Sequence, residues 1–492
     1  MNKNMNITEL KPGIVWKFFH EVTQVPRPSK REGKMIRYLE DFANSRPDVS
    51  LKKDRAGNIL MSKPATRGKE NLPTVILQSH IDMVCEKNSD KVFDFDNDAI
   101  ETVVDGNWLR ANGTTLGADN GIGVAAQLAI LASDDIEHGA LECLFTTDEE
   151  TGLTGANALQ EGFMTGRILL NLDSEDEGEL FIGCAGGKRT TAVFTYCPTT
   201  SLSDYLYLRI SVTGLNGGHS GGEIHKGLGN ANKLLARFLY LLTENKYSFV
   251  LNEIDGGNLH NVIPREAHAI IGIQPHNKEN VSALLNLFTS DVENELKHTD
   301  AGVRIYLESV DRPKSGDIDG DTAYRLINSL HGCPHGVVAM SHDIEGLVET
   351  STNLASVKMQ EGNTIQVVTS QRSSIESGKT DIAHTIAAIF RLAGAAVTHS
   401  EGYPGWSPNP DSAILKAARE SYLRLFRKEP KIMSIHAGLE CGLFLEKYPH
   451  LDMISFGPTL RDVHSPNERI QIDTVALWWT HLLDLLKNIP AK

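Results

Sequence analysis

Five residues far apart in the chain carry cation-binding side chains, and each follows a short apolar run or a glycine-rich turn: His80, Asp119, Glu150, Asp173 and His464. Imidazole nitrogens and carboxylate oxygens are donors that zinc accepts, and one shared carboxylate would give each of two ions two further ligands. Asp119 suits the shared place. It stands in Gly-Thr-Thr-Leu-Gly-Ala-Asp-Asn-Gly-Ile-Gly (113–123), where glycines let the main chain turn sharply before an apolar helical stretch at 124–131. Two such ions, about 3.5 to 4 Å apart, would share a water, lower its pKa and polarise a scissile carbonyl, which is the chemistry of hydrolysis. Glu149, adjacent to Glu150, is the candidate general base, because neighbouring side chains in a loop diverge and one can hold a metal while the other faces substrate. His80-Ile81-Asp82 ends an apolar run, and the period of two puts Asp82 on the side of His80, where it can orient the imidazole. Taken singly, each feature has a plainer reading: an N-capping Asp119, loop histidines, and surface carboxylates at 148–150 and 173–179. Their recurrence after successive apolar runs favours a two-metal hydrolytic site.

Elements that could position these residues are legible on either side of them. Apolar runs at 74–78, 141–145 and 168–172, with a helical stretch at 122–133, read as buried strands of a largely parallel sheet whose one edge carries the polar groups. The pattern returns at 431–435 and 453–456, before a terminal helix at 473–488, and two framework helices are expected at 14–22 and 32–42. Between these parts the texture changes. Strands at 205–212, 267–273, 303–307 and 364–369 alternate apolar and polar residues, with helices at 230–242, 281–296, 322–330 and 381–392. This predicts an inserted α+β domain about twice the size of one βαββαβ unit, read as two ferredoxin-like units in tandem. The expected domains are 1–186 and 401–492 for the first, with 187–400 inserted.

Composition narrows the partners. A chain of 492 residues is too long for one ordinary core. A formal charge of -15 and a pI near 5.6 lack the cationic character that nucleic acid or an anionic membrane requires, which leaves a small molecule or peptide. The first residues are polar, without the apolar core of a signal peptide, and no run approaches the roughly 18 apolar residues of a membrane span, so a cytoplasmic location is expected. Cys85, Cys143, Cys184, Cys197, Cys333 and Cys441 form no Cys-x-x-Cys pair, so a metal would be held by His, Asp and Glu.

His80-x-Asp82, Gly117-Ala118-Asp119-Asn120-Gly121, Thr147-x-Glu149-Glu150, Asp173 and the distant His464 resemble the M20 metallopeptidases in order, spacing and local sequence, over essentially the whole chain. The segments 111–116, 217–225 and 436–442 resemble the dipeptidases of that family that act on Xaa-His substrates. The resemblance implies an α/β fold, with a mostly parallel-sheet zinc-peptidase catalytic domain and an inserted α+β lid. It implies that His80 and Asp173 hold one ion, Glu150 and His464 the other, with Asp119 shared, Asp82 behind His80 and Glu149 as base. It also implies a cis peptide at Asp119-Asn120. In the lid, it makes His219 the donor to the scissile carbonyl oxygen, and makes Asn261, Arg372 and Gly438 contacts of the substrate, Asn261 and Arg372 on its free carboxylate. By residue type alone, Arg372 reads as a surface arginine at a strand end.

The implied cofactors are two divalent ions per subunit, Zn2+ with Co2+ or Mn2+ as substitutes. The implied substrates are dipeptides with a free amino terminus, Xaa-His and carnosine preferred. An M20-type amidohydrolase that deacylates N-acyl amino acids uses the same metal chemistry and is the alternative. A doubled lid would place His219 over its own active site, so a homodimer is allowed but not required. A binding protein on a disabled version of this fold would have lost ligands or the base, and none is missing.

Overall fold

The structure is a computed structural model that describes residues 6–200 and 204–490. The chain divides into two compact units: Met1–Gly183, Trp406–Ser434 and Leu439–Lys492 form the first, and Cys184–Gly405 with Ile435–Gly438 the second. The short piece Ile435–Gly438 thus leaves the carboxyl-terminal part of the chain to join the inserted one. In chain order the strands used below are β1 (Ser50–Lys53), β2 (Ile59–Lys63), β3 (Val75–His80), β4 (Leu141–Thr146), β5 (Ile168–Asn171) and β6 (Glu179–Cys184). There follow β7 (Gly186–Thr195), β8 (Leu206–Thr213), β9 (Phe249–Gly256), β10 (Ala267–Ile273), β11 (Arg304–Val310), β12 (Val348–Gln360), β13 (Thr364–Ser373) and β14 (Ala396–His399). The last two are β15 (Lys431–Ile435) and β16 (Asp452–Ser455).

In the first unit one sheet has the order β1-β2-β4-β3-β5-β16-β6-β15. Its centre, β4-β3-β5-β16, is parallel, and β1, β2 and β6 pair antiparallel beside it. The four central parallel strands are buried along most of their length, and they read as continuous apolar runs. Every residue of β3 and β4 is buried. The helix Ala118–Ala132 packs on β3 and on the helix Gly13–Thr23. It is buried along almost its whole length, so it is apolar on all sides, as a central helix must be. Gly13–Thr23 turns Val15, Trp16, Phe18, Phe19 and Val22 inward at helical spacing.

A smaller antiparallel sheet belongs to the same unit. It joins Thr102–Asp105, Trp108–Ala111, Arg469–Gln471 and Leu460–Arg461. Arg469, Ile470 and Gln471 lie opposite Arg110, Leu109 and Trp108. This pairing lays the loop that carries His464 and Glu468 beside the loop that leads to Asp119. The strand that precedes the Asp119 turn, Trp108–Ala111, thus belongs to this small sheet and not to the main one.

The second unit contains two βαββαβ motifs. One comprises β8, helix Ala231–Glu244, β9, β10, helix Lys278–Glu295 and β11, with spatial order β11-β8-β10-β9. The other comprises β7, helix Gly320–Gly332, β12, β13, helix Glu376–Leu392 and β14, with order β12-β13-β7-β14. These are two ferredoxin-like units, but nested rather than in tandem: the first motif is inserted between β7 and its partner helix. A hydrophobic core between helices and sheet runs through both, from Leu208, Ile210 and Phe238 to Val367, Ile386 and Phe390. They join where Gly256 of β9 lies opposite Val357 of β12.

Candidate functional site

The carboxyl ends of the central strands gather the residues picked out above. His80 ends β3, and Asp173 follows β5. Glu149 and Glu150 follow β4, but in a one-turn helix, Glu149–Gly152, entered through Asp148 at φ 48°, rather than in the expected loop. Asp119 lies in the first turn of Ala118–Ala132, and the Asp119-Asn120 peptide is cis. His464 comes from the loop after Leu460–Arg461. Asp119 faces both histidines, its Oδ1 3.0 Å from His80 Nε2 and its Oδ2 3.1 Å from His464 Nε2. Asp173 Oδ1 is 3.4 Å from His80 Nε2, and Glu150 Oε2 is 2.9 Å from His464 Nε2. Asp82 Oδ1 lies 3.3 Å from His80 Nδ1, on the ring edge away from Asp119. The Asp82 carboxylate also accepts the amides of Glu149 and Glu150, at 3.0 and 3.2 Å, and the Ser29 hydroxyl at 2.8 Å. One buried carboxylate therefore fixes both the imidazole and the turn that carries the two glutamates.

Three residues that sequence reasoning did not select hold this arrangement. Glu468, buried, accepts the amides of Leu116, Gly117, Ala118 and Asp119 at 2.7, 2.9, 2.7 and 3.3 Å. It satisfies the donors that the start of a helix leaves open. Arg27, also buried, donates to the carbonyls of Ile81 at 3.1 Å, Asp82 at 2.8 Å and Gly117. Gly117 has φ 67°, and a Cβ there would lie 2.5 Å from Arg27 Nη2, so both the turn and the close approach demand glycine. Glu440 is fully buried, with Oε2 accepting from Gln78 Nε2 at 2.5 Å and Thr146 Oγ1 at 2.8 Å. Arg27 sits in Pro26-Arg27-Pro28-Ser29, a turn-forming composition, and Glu468 lies four residues beyond His464. Neither position carries a local signal of burial.

The electrostatics follow from crowding. Burial pushes Glu149 and Glu150 upward, helped by neighbouring carboxylates. Burial likewise takes Asp173 up to about 6, against the pull of His80 and with Asp119 adding to the rise. Burial alone would lower His464, but Asp119 and Glu150 carry it up to about 11. Burial opposes ionisation of Asp82, yet His80 and the amide donors keep it down at about 2. Glu440 rises to about 8, chiefly through burial. More negative charge is gathered here than two imidazoles can balance.

Two overlapping groups of donors, His80, Asp119 and Asp173 on one side and Asp119, Glu150 and His464 on the other, each have ligand atoms within 4.8 Å of one another. Glu150 Oε1 is buried without a hydrogen-bond partner. Nitrogen and oxygen donors in this proportion, around a shared carboxylate and an excess of negative charge, fit divalent cations.

The second unit carries its own cluster. His219 lies on Gly218–His219, which pairs with Val262–Ile263, and the carbonyl of the adjacent Asn261 accepts the Ser220 amide at 2.8 Å. His219 Nδ1 accepts the Gly222 amide at 3.1 Å, so the neutral ring carries its proton on Nε2. Burial, with Arg372 beside it, holds the His219 pKa down at about 4. Arg372 lies on β13, 6% exposed, with Nη2 3.5 Å from His219 Nε2 and Nη1 donating to the Tyr403 hydroxyl at 2.9 Å. Its Nε has no partner. A Cβ at Gly438 would lie 2.8 Å from the Tyr403 ring, which links that glycine to the same cluster. A separate depression of about 780 Å3, lined by Arg209, Asp255, Arg265, His268 and Lys358 among others, takes none of the selected residues. Its lysine is already paired, Lys358 Nζ lying 2.7 Å from Asp255.

Residues 76–488 match the model of peptidase family M20/M25/M40. The cytosol non-specific dipeptidase of Escherichia coli strain K12 is 43% identical over 488 residues, covering 99% of each chain. The crystal structure of the aminoacylhistidine dipeptidase from Vibrio alginolyticus superimposes with a TM-score of 0.90 at 42% identity, again over 99% of each chain. A tripeptidase from Staphylococcus aureus shares the fold, at a TM-score of 0.56 and 16% identity over 97% of this chain and 98% of that one.

Proposed function

The chain belongs to peptidase family M20/M25/M40 and is a dipeptidase of that family, and we propose that it cleaves dipeptides with a free amino terminus, Xaa-His substrates such as carnosine preferred. The observation that carries this reading is the division of the two Asp119 oxygens between His80 and His464, each imidazole with a further carboxylate of its own. His80, Asp119 and Asp173 would hold one divalent ion, and Asp119, Glu150 and His464 a second. Zn2+ suits the donors, with Co2+ or Mn2+ as substitutes. When bound, such ions polarise a carbonyl and acidify water.

The residues of the chain would do the rest. Asp82 orients the His80 ring through Nδ1, and through the Glu149 amide sets where that side chain starts. Glu149, half-buried and raised well above an ordinary carboxylate, is suited to take a proton from the attacking water and return it to the leaving amine. Neutral His219, its proton on Nε2, is suited to donate to the carbonyl oxygen as negative charge develops there. Arg372, buried without a carboxylate partner among the described residues, would receive the free carboxylate of the substrate, with Asn261 and Gly438 beside it. A cytoplasmic location is supported by the Escherichia coli relative, which is a cytosol dipeptidase. No helix among the described residues is long and apolar enough to cross a membrane.

Metal-depleted protein, resupplied separately with Zn2+, Co2+ and Mn2+, should regain hydrolysis of Xaa-His dipeptides, carnosine included. Hydrolysis of N-acetyl amino acids with no turnover of any dipeptide would overturn the proposal in favour of an amidohydrolase.

A further inference from the structure

Tyr403 is absent from every motif discussed so far, yet several groups of the second unit hold it in place. Its amide donates to the Gly187 carbonyl at 2.9 Å and its carbonyl accepts the Gly187 amide at 3.0 Å. The same carbonyl accepts from Lys379 Nζ at 2.6 Å, and Lys379 is itself buried. The main chain at this position is therefore fixed from two directions. The ring lies in a slot between two glycines. A Cβ at Gly187 would stand 2.6 Å from three atoms of the ring and its hydroxyl, and one at Gly438 would stand 2.8 Å from the opposite ring edge. Neither glycine has a positive φ, so space, not backbone conformation, is what the missing side chains provide.

The held ring presents its hydroxyl to Arg372. Nη1 of Arg372 donates to the Tyr403 oxygen at 2.9 Å, and an arginine can only donate. The phenol proton is therefore directed elsewhere, and no acceptor for it stands among the described residues. Beside it, Arg372 Nε is buried and likewise unpartnered. A buried guanidinium without an anion is costly, and Arg372 together with the hydroxyl it holds offers two unused donors, enough for the two oxygens of a carboxylate. His219 and His436 add no charge to compete. Burial and Arg372 hold both neutral, with pKa values of about 4 and about 3.

We propose that Tyr403 is a specificity-determining residue whose hydroxyl, oriented by Arg372 and by the Gly187–Gly438 slot, donates to the free α-carboxylate of the dipeptide. The inference rests on the dipeptidase reading above and adds to it the group that distinguishes a free carboxylate from an amide. A carboxylate accepts from both Arg372 and Tyr403. An amide presents one oxygen and an NH2 group that can only donate, and it leaves one of the two donors unsatisfied.

The test compares Tyr403→Phe with the unaltered enzyme on an Xaa-His dipeptide and on the C-terminal amide of the same dipeptide. Losing a hydrogen bond to a charged group should raise KM for the free acid about tenfold, with kcat within about twofold and KM for the amide unchanged. Arg372→Lys is the companion variant, because it keeps the charge but loses the fork, and it should raise KM for the acid more than for the amide. Equal effects of Tyr403→Phe on acid and amide, or none on either, would overturn the assignment and leave Tyr403 a packing residue. Failure of the unaltered enzyme to cleave any dipeptide would instead defeat the functional reading on which the inference stands.

Discussion

Glu468 and Asp119 are joined through the main chain: Glu468 Oε1 accepts the Asp119 amide at 3.3 Å, while the same carboxylate takes the three preceding amides. A buried charge thus sets the direction from which the Asp119 side chain starts. Glu468→Ala should leave four buried amides without an acceptor, each costing roughly 1 to 3 kcal/mol where water cannot enter. We expect a lower unfolding temperature in metal-free protein and about 10- to 100-fold weaker zinc binding by chelator competition, with Glu468→Gln intermediate in both. Unchanged zinc affinity in Glu468→Ala would refute the positioning role.

Asp119→Ala removes the carboxylate whose two oxygens lie against His80 and His464. The variant should lose most of its bound metal by elemental analysis and at least about 100-fold in kcat/KM. Two equivalents of retained zinc with normal turnover would show that the carboxylate is not shared.

Glu149→Ala separates proton transfer from binding. Its backbone amide still reaches Asp82, so the turn that carries Glu150 should persist. kcat should fall about 10²-fold or more while metal content and KM stay near normal. A kcat within a few-fold of the parent enzyme would remove Glu149 from the role of base.

Glu440 gives a pH signature of stability. Burial raises its pKa from 4.5 to about 8, so the stabilisation of the neutral carboxyl is complete below about pH 4.5 and is lost as pH rises through about 8. Glu440→Gln stays neutral throughout. In metal-free protein its unfolding temperature, relative to the parent, should therefore climb between about pH 5 and about pH 8. A difference that is flat across this window would show that Glu440 is ionised in the folded chain.

How much of this was legible beforehand depended on range. Candidate ligands announced themselves where a continuous apolar run ended in a polar residue, as at Leu77-Gln78-Ser79-His80 and Leu170-Asn171-Leu172-Asp173, because a strand buried on both faces leaves little room for other patterns. Arg27, Glu440, Glu468 and Tyr403 gave no such signal. A buried charge or phenol is identified by its partners, and theirs lie tens to hundreds of residues away in the chain. The nested order of the second unit was hidden for a similar reason: the helices and strands of both motifs are readable, but which strand lies beside β7 depends on long-range pairing.

The sequence by itself determined the parallel centre of the main sheet, and it nominated the donor set and with it a hydrolytic reaction, since side-chain type and short-range periodicity are local properties. Only the tertiary structure decided that the small sheet lays the His464 loop beside the Asp119 turn, that Glu468 and Arg27 grip that turn by its amides and carbonyls, and that two glycines make room for Tyr403 against Arg372. The physical reason is that burial, unlike periodicity, is a property of residues brought together from distant parts of the chain, and a charged group becomes a positioning or binding group only once its partners have closed around it.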